Sequence, residues 1–215
     1  MKRLLAAALA LTATPALAHH PLGGLPMETF ADGALSGVGH PVLGFDHLFF
    51  VIAMGVAAIF TANRLLAPAA YIATMLVGCA IASFGAVIPL TETLVVISLL
   101  AIGGLLVSGR TIGTTAMLAL FAAAGLFHGA AFGSTIAGQE GGASAAVFTG
   151  YLLGLAITQY AIALGAGWLA KTLLGAHDAA ATNARLIGAG VAGVGAFLAL
   201  EILEGPIVTA LSAGV

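Results

Sequence analysis

Between residues 41 and 204 the sequence passes through six apolar segments, set apart by short breaks rich in polar residues, glycine or proline. Segments this long and this apolar close their own backbone hydrogen bonds as helices and cross a bilayer. Charge points the same way. Only 7% of the chain is charged, against about 25% in soluble domains, too little to cover a water-facing surface. The 30 glycines suit helices whose backbones approach closely. The expected class is all-α: a polytopic membrane protein with six transmembrane helices packed as one bundle. A net charge of −2 gives no support to a nucleic-acid partner. No Gly-rich loop ending in Gly-Lys-Ser/Thr is present to hold a nucleotide. The single Cys79 forms no disulfide within the chain.

The start of the chain reads as a cleaved signal peptide over 1–18. Lys2 and Arg3 precede a short apolar run, and Ala16-Leu17-Ala18 supplies the small-residue cleavage pattern. A periplasmic arm over 19–39 and a transmembrane domain over 40–215 are expected to follow. The spans are placed at 41–61, 68–88, 92–108, 113–133, 143–170 and 186–204. The first measures about 31 Å at 1.5 Å per residue, and Pro41 suits its first helical position. With the N-terminus outside, the inner loops carry Arg64, Arg110, Lys171 and Arg185, while Glu28, Asp32, Glu92 and Glu140 fall outside. That is the positive-inside pattern.

The polar residues that remain are costly in lipid, so each needs a partner or a task. His40, Asp46 and His47 open the first span; with His40 as its cap, His40 and His47 are seven apart and lie on one helix face. His128 lies about five residues below the outer end of the fourth. Both levels are about 8–9 Å into the membrane. Glu201 near the outer end of the sixth span reaches a comparable depth. Imidazole and carboxylate together suit nickel, cobalt or zinc, so His40, Asp46, His47 and His128 are candidate metal ligands. Asp46 serves equally well by orienting a histidine. His19, His20, Glu140 and Glu201 are candidate accessory ligands. Gln159 reads as interhelical hydrogen-bonding glue, and Met54, Met75 and Met117 as packing.

At these motifs the chain resembles the HupE/UreJ family of bacterial nickel permeases, over the signal peptide and nearly all the mature chain. His40, Asp46 and His47, with Pro41 and Gly44, meet the first family motif, a histidine followed after five residues by Asp-His. Phe127-His128-Gly129 meets the start of the second. There the chain departs, with Phe132 at the family's usual second histidine and Thr135 at its following glutamate. The stretch Gly150-Tyr151-Leu152-Leu153-Gly154 through Gln159 is also similar to some members.

The resemblance implies uptake of nickel, or cobalt, across the inner membrane to supply metalloenzymes such as hydrogenase or urease. The divalent ion and the lipid bilayer are then the partners, with no enzymatic activity and no prosthetic group. Two other classes compete. One is an intramembrane zinc-dependent hydrolase, against which the absence of a His-Glu-x-x-His pair counts. The other is a structural subunit of a membrane complex.

Overall fold

A computed structural model describes residues 26–138 and 143–213. The proposed signal segment, His19, His20 and Glu140 lie outside them. The described residues form seven helices and no strand: α1 (Phe30–Leu43), α2 (Phe45–Ala58), α3 (Leu66–Ser83), α4 (Thr91–Ser108), α5 (Thr114–Ala137), α6 (Ala145–Thr172) and α7 (Thr182–Ala213). Helices α3 to α7 are each long and apolar enough to cross a membrane. Helices α1 and α2 pass the same test only together, bent by 79° at their junction, which brings the count to six if the pair is one broken span.

This corrects the expected first span. Its start is not Pro41, and the preceding arm is not all loop. Helix α1 begins eleven residues earlier, where Thr29 and Asp32 cap each other's backbone amides reciprocally. Pro41 therefore sits inside α1, where its ring removes one ladder donor. Gly44 then turns out of helical geometry, at φ −81° and ψ 102°, and the chain restarts as α2. A Cβ on Gly44 would meet the His47 ring carbon at 2.9 Å and the Asp46 carboxylate at 3.2 Å. The break thus brings these side chains over the backbone. Broken backbone of this kind is tolerated in lipid only where it is buried or faces a cavity.

Small residues set the packing. Gly33 and Gly37 of α1 press onto the Val147–Tyr151 backbone of α6, and Gly150 and Gly154 return the contact onto Phe30 and Ala34. Further along α6, Ala163 meets Gly55 of α2. The α1–α2 pair therefore follows α6 in the same direction. Helices α3 and α5 interlock through Gly78, Gly125, Gly129 and Gly133, all at backbone contact. Gly103 and Gly188 do the same for α4 and α7.

Other boundaries moved by up to nine residues, the largest shift being α7, which runs on from the expected end at Glu204 to Ala213. Helix α3 ends at Ser83, five residues short of the expected end, and α5 continues four residues past Gly133. His128 is consequently nine residues from the end of α5, about 14 Å at 1.5 Å per residue. It sits near mid-span, deeper than the expected level.

Candidate metal centre

The break between α1 and α2 brings two histidines together by a route unlike the expected one. His40 and His47 do not share a helix face. His40 lies in the last turn of α1 and His47 in the first turn of α2, with ring centroids 5.8 Å apart. Both are buried, and His128 of α5 is wholly so. Gly129 and Gly125 allow this approach by removing the bulk that would hold α5 away from α3.

His47 Nδ1 and His128 Nδ1 are 2.8 Å apart, so two helices separated by 81 positions meet through their imidazoles. The surrounding hydrogen bonds assign the protons. The Ser98 hydroxyl of α4 donates to the Val95 carbonyl at 2.6 Å, so its oxygen accepts from His128 Nε2–H at 2.9 Å. That leaves the His128 lone pair on Nδ1, facing His47, whose Nδ1–H donates to it. On the other side of His47, an Asp46 carboxylate oxygen stands 3.6 Å from Nε2. Asp46 is half-buried, and as a first-turn acid it also suits the positive end of α2.

His40 takes a different partner. Its Nδ1 is 2.9 Å from the Tyr151 hydroxyl, which donates to the Phe132 carbonyl at 3.2 Å. Phe132 fills the space between the two α1–α2 histidines, its ring centroid 4.9 Å from His40 and 4.2 Å from His47. The position where the family motif expects a further histidine thus points into the site and carries an apolar ring. Among the described residues, no three His, Cys, Asp or Glu side chains are arranged to hold an ion. The close unit is the His47–His128 pair, flanked by Asp46, with His40 beyond Phe132.

Two nitrogens bound to one cation at about 2.0–2.1 Å lie about 2.9 Å apart at a right angle and about 3.3 Å apart at a tetrahedral one. The pair's separation is near the first value. Binding between them requires the proton on His47 Nδ1 to move to Nε2, where it faces the Asp46 carboxylate 3.6 Å away. Ser98 keeps the His128 lone pair aimed at the same point. Histidine ligands are commonly oriented this way by a second hydrogen bond.

A family profile described as HupE / UreJ protein matches residues 7–198. The chain belongs to the HupE/UreJ family. A curated relative, Protein HupE of Rhizobium leguminosarum bv. viciae, is 31% identical over 193 residues, covering 88% of this chain and 94% of that protein. No solved structure matches the chain.

Within this HupE/UreJ protein the remaining candidates separate clearly. Glu201 is exposed on α7, away from the buried histidines. At 100° per residue it lies about 110° from the stripe of Ala184, Gly188, Val191 and Gly195 that packs inward. Gln159 is wholly buried and accepts from the Tyr71 hydroxyl at 2.8 Å, tying α6 to α3. Met54, Met75 and Met117 are buried in the core. Ser98 and Tyr151 carry no signal in a single sequence. A serine and a tyrosine within apolar spans become informative only when the histidine nitrogens they touch are known.

Proposed function

We propose that the chain is an inner-membrane permease that imports a divalent transition metal ion, nickel or cobalt, for metalloenzyme or cofactor biosynthesis. The observation that carries this reading is the His47–His128 contact of 2.8 Å, made by two helices at a broken span and held in one tautomer by Ser98. Discontinuous helices are where transporters place ion sites near the bilayer midplane. The HupE/UreJ family, generally associated with nickel and cobalt transport, supports the same assignment.

In this reading His47 and His128 are the first ligands, Asp46 balances charge, and His40 joins as the ion arrives. His19, His20, Glu140 and Glu201 are assigned the looser task of drawing cations toward the outer face. The N-terminus is periplasmic after signal cleavage, because Arg64, Arg110, Lys171 and Arg185 then fall in cytoplasmic loops. An inside-negative potential favours entry of a divalent ion by about 4.6 kcal/mol per 100 mV, from about 2.3 per elementary charge. No nucleotide is needed to drive uptake on that scale, and no enzymatic step is invoked.

Uptake of radioactive nickel or cobalt by proteoliposomes under an imposed inside-negative potential tests the proposal. Uptake should require the native chain and fall at least about tenfold in His47→Ala and His128→Ala, which each remove a ligand to a charged ion. Equal uptake by all three proteins would remove the site. No uptake by the native chain would remove the function.

A further inference from the structure

Arg64, in the loop between α2 and α3, and Lys171, in the last turn of α6, line one cavity of about 200 Å³. No acidic side chain is among the described residues that line it, and neither cation pairs with a carboxylate among the described residues. A concave surface that carries charge of one sign draws the other sign to it. Close packing fixes the two cations around it. A Cβ on Gly167 of α6 would meet the Gly55 carbonyl at 2.7 Å and the Ile59 side chain at 2.8 Å, so the floor is a tight crossing of α6 on α2. The Tyr160 hydroxyl donates to the Leu65 carbonyl at 3.3 Å, which pins the residue next to Arg64 onto α6.

The rest of the lining is apolar. Leu164, Trp168 and Lys171 follow one another at spacings of four and three, so they share one face of α6, and all three line the cavity. Trp168 is 61% exposed and Leu65 54% exposed, and on a membrane-crossing bundle such side chains meet lipid. Trp168 also lies one turn short of the end of α6 at Thr172, the level at which tryptophan marks the membrane–water interface. The cavity therefore offers two positive charges at the edge of the bilayer and an apolar wall beside them. Free phosphate would leave that wall uncovered, and a lipid without net charge would leave the cations uncompensated. An anionic amphiphile satisfies both.

We propose that this cavity is a binding site for an anionic diacyl phospholipid, with its phosphate held by Arg64 and Lys171 and its acyl chains running along Leu65, Leu164 and Trp168. The guanidinium offers a fork of donors to the phosphate oxygens, and the ammonium adds a point charge. Basic pockets between transmembrane helices take anionic headgroups in this way. The site stands apart from the transport reading; only its leaflet, the cytoplasmic one, rests on the orientation proposed above.

Trp168 is the chain's single tryptophan and serves as the reporter. The full chain is reconstituted in mixed vesicles of phosphatidylcholine and phosphatidylglycerol, with brominated acyl chains on one lipid or on the other. Quenching of Trp168 then gives the ratio of the two lipids' binding constants. Each basic residue beside an anionic headgroup is worth about fivefold, so the native ratio should favour phosphatidylglycerol by about 25-fold. Arg64→Gln and Lys171→Gln should each lower it about fivefold, and the double variant should bring it to about unity. Arg110→Gln, which alters a basic residue outside the cavity, should leave it within about twofold. Equal quenching by both lipids in the native chain would overturn the site, whatever the variants do. An equal fall in Arg110→Gln would reduce the effect to diffuse surface charge and overturn it too. Loss of the preference on adding inorganic phosphate at constant ionic strength would make the ligand free phosphate and overturn the lipid assignment.

Discussion

Ser98→Ala is the sharpest perturbation of the proposed centre, because it removes one oxygen and leaves every proposed ligand in place. In the native chain the Ser98 proton is committed to the Val95 carbonyl at 2.6 Å, and its oxygen accepts from His128 Nε2 at 2.9 Å. Without it, a wholly buried Nε2–H has lost its acceptor, a loss of about 1–3 kcal/mol. The imidazole escapes part of that cost by moving its proton to Nδ1. That tautomer points a proton, not a lone pair, at His47 and at any ion between them. Partners that orient histidine ligands are typically worth about 10–100-fold in metal affinity, or roughly 1.4–2.7 kcal/mol, which matches the hydrogen-bond figure. Nickel titration of purified Ser98→Ala should therefore give a Kd weakened by about 10–100-fold. A Kd within about twofold of native would refute the tautomer argument, since nothing else on α4 holds that nitrogen in it.

Two further substitutions probe the same site from other sides. Phe132→His places an imidazole between His40 and His47, where the Phe132 ring now lies 4.9 and 4.2 Å from theirs, and should tighten nickel binding by about tenfold, roughly 1.4 kcal/mol, while slowing release and uptake; unchanged affinity by titration would show that the position does not face the ion. Gly129→Ala drives a methyl group into the Met75 carbonyl, so α5 must back away from α3. The expected cost is about 1–3 kcal/mol, seen as a lowered melting temperature in detergent, with weaker nickel binding as His128 moves.

Much of this architecture was legible in the sequence because hydropathy and charge report on it directly. Apart from the longer end of α7, the five later spans fall within a few residues of their expected places, since lipid demands long apolar helices whatever their packing. The first span was misread for a local reason. Pro41 looks like a helix start, and only the capping box at Thr29 and Asp32 together with the turn at Gly44 makes it the last turn of one helix before another. The site partly escaped for the same reason: His40 and His47 are neighbours across a break, not along a face. His128 stands out in the sequence as a costly imidazole in an apolar span, but its level was set too shallow because the helix runs four residues longer than expected. Ser98 and Tyr151 were not readable, because a hydroxyl's meaning lies in the nitrogen it touches. Glu201 was set at the histidines' depth, but depth along a helix says nothing of rotation about it, and its side chain is exposed.

X-ray absorption of the nickel-loaded protein tests the central claim most directly, since it reports the atoms around the ion itself. Two helices joined by one cation should appear as imidazole scattering from at least two histidines at about 2.0–2.1 Å, reduced by one ring in either His47→Ala or His128→Ala. A spectrum of oxygen neighbours alone, or one unaltered by both substitutions, would contradict the account.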